Sequence, residues 1–172
     1  PLWSRGLGDV YKRQIMNYVK HWFNELNMSI YDEKNKRGLM RHLVIRTGYH
    51  TDEIMVIFVT NGKKFKNANV LVQKLISEFP NITSIKQNIN DTHSNVIMGP
   101  QSVTLYGKDK IVDELSEVTF NISDQSFYQI NSAQTEKLYQ KAIDYAQLTG
   151  EEIVLDTYCG IGTIGLLSLI HI

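Results

Sequence analysis

Asp156, Gly160, Gly162, Thr163 and Gly165 stand close enough together to make one ligand site, with Tyr158 and Cys159 between the carboxylate and the first glycine. The run before them, Ile153-Val154-Leu155, is short and apolar, the pattern of a strand buried in a parallel sheet. Asp156 then falls where such a strand emerges at its carboxyl end. Glycines supply positive φ for a sharp turn, bare backbone where a ligand approaches, and close packing of the helix that follows. The stretch is therefore expected to run strand, tight turn, helix start, with its ligand at the end of the strand.

Dinucleotide-binding turns share this glycine spacing, which does not choose between ligands by itself. The carboxylate does choose. It offers a diphosphate nothing, whereas the ammonium and sulfonium groups of S-adenosylmethionine give that molecule a cationic character. Cys159 is the one thiol of the chain and a tempting nucleophile. Its place inside the turn aims the sulfur at cofactor or core, so no catalytic role is assigned to it.

The elements that must position this turn can be read upstream. Ile15, Val19, Trp22, Phe23 and Leu26 recur at helical spacing and predict a helix over residues 15–28, with His21 beside the stripe as a partly exposed helix histidine. Residues 31–38 form a polar, mixed-charge turn, and strand rhythm follows over 39–47. Arg41 and Arg46 there fall on opposite faces. A guanidinium fork suits phosphate oxygens; the plainer reading is a surface pairing with Asp52 or Glu53.

A strand over 53–60 closes at Asn61-Gly62, and Lys63, Lys64 and Lys66 make a basic tip that reads as solubilising. A helix over 69–79 ends at Pro80. Alternating runs at 82–90, 96–98, 103–106, 111–115 and 118–122 then predict an antiparallel meander. Residues 123–131 bridge to a helix capped by Ser132, with Leu138, Ala142, Tyr145 and Ala146 as its apolar positions and Gly150 as its end.

Composition narrows the class. The 172 residues are 42% hydrophobic, enough for a real core, and the 18 basic residues balance 18 acidic ones, so global charge neither announces nor excludes nucleic acid. One cysteine permits no internal disulfide and no cysteine cluster, no metal-ligand spacing is present, and no run approaches the roughly 20 apolar residues of a membrane span. A cytoplasmic, monomeric protein without a metal site in this chain is expected. Residues 1–14 and 167–172 resemble translated adapter sequence and are set outside the fold argument as a non-native leader and tail. The chain is thus expected to be an internal piece of a longer enzyme.

Four ordered motifs carry a family resemblance: Arg41-His-Leu-Val-Ile-Arg46-Thr-Gly48, Ile85-Lys-Gln-Asn-Ile-Asn90, Ser126-Phe-Tyr-Gln-Ile-Asn131 and Asp156-Thr-Tyr-Cys-Gly-Ile-Gly-Thr163. Together they resemble the RNA (uracil-5-)-methyltransferases, over roughly residues 15–166. The fold implied is α/β: an α+β central domain over 15–122, then the start of a Rossmann-like methyltransferase domain over 123–166. The activity implied is S-adenosylmethionine-dependent methylation of uracil C5 to 5-methyluridine. The RHLVIRTG and YCGIGTIG wording favours 23S rRNA over tRNA as substrate.

The resemblance makes Gln129 and Tyr158 cofactor contacts beside Asp156, Gly160, Gly162 and Thr163. Uracil C5 becomes nucleophilic once a thiolate adds at C6, and a base must then remove the C5 proton. In the family that thiolate and base lie further along the methyltransferase domain. An iron-sulfur cluster, where members hold one, is bound by cysteines upstream and not by this chain. A non-catalytic RNA-binding module and a dinucleotide-dependent oxidoreductase are the competing readings.

Overall fold

A computed structural model describes residues 7–169, in the order α1 (Leu7–Glu25), β1 (Met40–Thr47), β2 (Ile54–Thr60), α2 (Ala68–Glu78), β3 (Ile82–Ile89), β4 (Gln101–Gly107), β5 (Ile111–Leu115), β6 (Val118–Ile122), α3 (Ser132–Ala146) and α4 (Thr163–Leu169). The first four strands make one sheet in the order β1-β2-β3-β4, and β5 and β6 make a separate hairpin. β2 and β3 are parallel with α2 as the crossover, while β1 and β4 run antiparallel on the outside. The expected meander keeps its antiparallel pairs β3–β4 and β5–β6 but is split between two sheets, with β3 also running parallel to β2.

β2 is the hinge of the packing, because all seven of its residues are buried. Ile54, Val56 and Phe58 face a core shared with Ile15, Val19 and Phe23 of α1 and Leu71, Val72 and Leu75 of α2. Met55, Ile57 and Val59 face the other way, onto Ile111 and Ile122 of the hairpin, with Tyr128 and Ile161 against them. Strand alternation thus gives a helix layer on one face and the hairpin on the other. Leu115 and Phe120 of the hairpin in turn hold Tyr139 of α3 and Leu167 of α4.

α1 starts earlier than its apolar stripe indicates. Residues 7–14, read as a non-native leader, form its first turns, and Tyr11 packs against the core. The rest of that leader and of the expected tail, residues 1–6 and 170–172, lie outside the described residues. Within the tail, Leu167 is buried in the third apolar cluster.

Two further expectations change. Residues 96–98 form no strand; the Asn90 amide donates to the Val96 and Ile97 carbonyls instead, at 2.7 and 3.0 Å, and holds them as a loop. α3 is capped by Asn131, whose side chain accepts the Gln134 N–H at 3.1 Å, and not by Ser132, which is buried. Gln147 with φ 49° ends it rather than Gly150. Its inward face is Ser132, Thr135 and Tyr139, so Leu138 and Tyr145 point outward, 62% and 75% exposed.

This arrangement predicts a sharp contrast in urea denaturation. Leu75→Ala, at a fully buried position, lowers stability by about 2–5 kcal/mol, whereas Leu138→Ala stays within about 0.5 kcal/mol. Equal losses at the two sites would contradict the inward and outward faces described here.

Candidate cofactor site

The glycine turn is formed. The Gly162 N–H donates to the Cys159 carbonyl at 2.7 Å, and Gly160 and Gly162 take φ of 55° and 82°, left-handed values that disfavour a side chain. α4 begins directly after, and the Leu166 N–H returns to the Gly162 carbonyl at 2.9 Å. Thr163 opens the helix with its hydroxyl 3.4 Å from the Tyr139 hydroxyl. The turn and helix start expected around residues 160–165 are therefore present.

The strand before the turn is not. Residues 151–156 take no strand conformation, and Ile153 and Leu155 are 99% and 82% exposed. A strand exists through its ladder partners, and no described strand lies alongside this run. Asp156 nonetheless keeps its expected place at the end of the run, where one carboxylate oxygen accepts the Tyr158 N–H at 3.2 Å.

Asp156, Cys159, Gly162 and Gly165 line a cleft of about 310 Å3, closed on its apolar side by Val154 and Leu166. A Cβ built on Gly165 would sit 3.8 Å from the other Asp156 oxygen, so bare backbone and carboxylate face each other across ordinary contact distance. No ion pair to Asp156 occurs among the described residues. A carboxylate without a cation, beside exposed glycine backbone, suits the ammonium and sulfonium groups of S-adenosylmethionine, so this half of the site fits that cofactor.

The other half lies apart. Gln129 lines a smaller cavity of about 70 Å3 with Arg46, Thr47 and Tyr128, over a floor that includes Ile111 and Ile122. It does not share the cleft of Asp156. Tyr158 lines neither and is 96% exposed. Gly160 and Thr163 shape the turn without lining either space.

The segment bearing Gln129 is held by buried charge. Asp124 accepts from Lys86 Nζ at 3.0 Å and from Ser102 Oγ at 2.5 Å, and Lys86 also meets Asp109 at 2.7 Å. Burial alone would raise Asp124, but the Ser102 and Lys86 hydrogen bonds outweigh it and hold the carboxyl below its ordinary value. Burial would likewise lower Lys86, and its two carboxylate partners instead raise it. Next along, the Tyr128 hydroxyl donates to buried Asp113 at 3.0 Å; burial first, then the Asp113 charge, pushes the phenol well above its ordinary value.

Sequence reading assigned none of Lys86, Asp113 or Asp124 a role. The only signal was a run of polar residues, Lys86 to Asn88, inside a strand. The arginines also differ from expectation. Arg41 donates to the carbonyls of Asn90 at 2.9 Å and Thr92 at 2.6 Å and lies over the Tyr31 ring, rather than pairing with Asp52 or Glu53. Glu53 instead pairs with Lys108. Burial lowers the pKa of Arg46, opposed by the nearby Asp124 charge.

Comparison with known proteins follows the same line. No family model matches the chain. A Staphylococcus epidermidis protein described as an uncharacterized RNA methyltransferase is 77% identical over 154 residues, 90% of this chain and 34% of the relative. A Staphylococcus aureus protein of the same description is 69% identical over 163 residues, 95% of this chain and 36% of the relative. The chain thus spans about a third of the length of these relatives. The crystal structure of a Pyrococcus abyssi tRNA (uracil-54, C5)-methyltransferase in complex with S-adenosyl-L-homocysteine matches with a TM-score of 0.73 and 28% identity, covering 92% of this chain and 38% of that one. The likeness to RNA methyltransferases and the α/β fold class expected from the motifs are both shown.

The Lys86–Asp124 pair has a definite pH signature. A carboxyl lowered by folding contributes stability that is complete above its unfolded value, about 4, and is lost as pH falls through the folded one. An ammonium raised by folding contributes below its unfolded value, about 10.4, and loses that contribution as pH rises through the folded one. Lys86→Met is therefore expected to cost about 3–5 kcal/mol at pH 7, with a smaller penalty at pH 3. Urea melts at the two pH values check this; an equal penalty at both would place the loss elsewhere.

Proposed function

We propose, on the premise of this likeness to RNA methyltransferases, that the chain is the part of an S-adenosylmethionine-dependent RNA uracil-C5 methyltransferase that carries the central domain over 15–122 and the opening of the cofactor domain over 123–166. The observation that carries the reading is the cleft in which the Asp156 carboxylate faces the Gly162 and Gly165 backbone. The likeness to an enzyme solved with S-adenosyl-L-homocysteine supports it.

In this reading Asp156 binds the cationic end of the cofactor and the Gly160–Gly162 turn lets it approach the backbone, while Gln129 and Tyr158, which lie outside this cleft, are assigned as further contacts by the motif resemblance alone. The bound cofactor supplies an electrophilic methyl group. The contribution of this chain is binding and orientation. Asp156, anchored by the Tyr158 N–H, presents a fixed negative charge, and a side chain at Gly162 would strain the left-handed turn.

Gln129 lies on a segment held at Asp124 and Tyr128, so the sheet sets its position. No thiolate or base for uracil is assigned within these residues, and Cys159 remains a wall of the cleft. No metal and no iron-sulfur cluster is assigned to this chain, and a monomeric, cytoplasmic enzyme is the setting we propose. Among the described residues no helix is long and apolar enough to cross a membrane.

23S rRNA is the proposed substrate, on the wording of the Arg41–Gly48 and Tyr158–Gly165 motifs. The specific observation favouring tRNA is the name of the Pyrococcus abyssi enzyme. Transfer of labelled methyl from S-adenosylmethionine to unmodified 23S rRNA and tRNA, by a full-length enzyme carrying this segment, separates them. Label at uracil C5 of rRNA supports the proposal, label in tRNA moves it to the second reading, and no transfer to either overturns both.

Substitutions test the site itself. In that enzyme Asp156→Ala and Gly160→Val are each expected to weaken S-adenosylhomocysteine binding by about tenfold or more, read by calorimetry, on the loss of a charge-assisted contact and of a left-handed turn residue. Cys159→Ser is expected to retain most methyl transfer. Its complete loss in a folded enzyme would return that thiol to the catalytic candidates.

A further inference from the structure

One end of the four-stranded sheet carries a charge that the chain as a whole does not. The register aligns Met40 with Thr60, Thr60 with Ile89 and Ile89 with Gln101, so the loops 31–39, 61–67 and 90–100 emerge together. They present Lys34, Lys36, Arg37, Lys63, Lys64 and Lys66 to solvent, against only Asp32, Glu33 and Asp91. At the opposite end, in the connections 48–53, 79–81 and 108–110, Asp52, Glu53 and Asp109 stand against Lys108 and Lys110, so charge there is nearly balanced. The basic excess of a chain neutral overall is thus concentrated at one end of the sheet.

The basic end is also built to hold its shape. Buried Gln87 donates to Thr60 Oγ1 at 2.8 Å and to the Lys63 carbonyl at 3.1 Å, fixing the loop that carries the three lysines. Asn61 donates to the Gly38 carbonyl at 3.1 Å, joining that loop to its neighbour. Arg41, its side chain 2% exposed, ties in the third loop through the Asn90 and Thr92 carbonyls. Lysines on a merely solubilising tip need no such anchoring. Loops ordered in advance lose less entropy when they dock.

We propose that this end is a docking surface for the phosphate backbone of RNA, separate from the cofactor cleft. The proposal rests on RNA being the substrate. Charge complementarity selects the occupant: mobile ammonium groups on fixed loops match a row of phosphates and do not require base contacts. A strand of seven residues spans about 23 Å. RNA bound here therefore reaches the Gln129 end across several nucleotides, and the surface sets the register of the strand.

The test uses the 172-residue chain and a fluorescein-labelled single-stranded RNA in anisotropy titrations at several salt concentrations. Lys63→Ala, Lys64→Ala and Lys66→Ala together are expected to weaken binding about tenfold or more and to flatten the slope of log K against log salt by about 2, from three lost phosphate contacts. Lys110→Ala with Lys137→Ala, outside this end, is the control and is expected to leave both nearly unchanged. Unchanged affinity and slope in the triple variant, an equal loss in the control, or no binding of the RNA at all would overturn the proposal. S-adenosylhomocysteine binding by a full-length enzyme reports on the cofactor cleft independently, so failure here and failure of the functional reading are separable.

Discussion

A central strand that buries polar side chains sets the terms for everything packed around it. β3 carries Lys86, Gln87 and Asn88 with at most 5% exposure, followed by the fully buried Asn90. An unmatched polar group at such depth costs about 1–3 kcal/mol, and a charge more. Each of these side chains must therefore find a partner, and the partners lie chiefly in three stretches: the 61–67 loop, the 90–100 loop and the segment after β6. Asn88 takes both the N–H and the carbonyl of Gly99, Asn90 takes the 96–97 carbonyls, and Lys86 takes Asp124 across 38 positions of sequence. The strand organises the loops because its own solvation would otherwise be lost.

Local pattern was legible wherever one force acted alone. The α1 stripe, the seven-residue run of β2 and the α2 face are hydrophobic periodicities, and they fold as written. Val96 to Met98 has the same composition as a short strand, yet a buried amide claims its carbonyls. α3 shows the complementary case: Thr135 and Tyr139 pack inward, while its apolar positions Leu138 and Tyr145 are left outside. Periodicity names a stripe but not the side on which a neighbour waits.

The candidate site divides in the same way. The glycine turn is written locally in residues 160–165, and its left-handed backbone follows from glycine itself. The separation of Gln129 from Asp156 is not local, since it depends on how the 123–131 segment lies against β1 and the hairpin. The Lys86–Asp124 contact that secures that segment joins two unremarkable positions, and nothing short of the fold connects them.

The exposed run Ile153 to Leu155 gives the chain a social property. Its backbone donors and acceptors are open and its apolar side chains stand in water, which is the make-up of an adhesive edge. Elsewhere the sheet protects itself: β4 ends the ladder with mostly exposed, largely polar side chains. In the 172-residue chain this short segment, rather than the well-filled core, is the stretch open to pairing with a further strand, a few residues before the ligand turn.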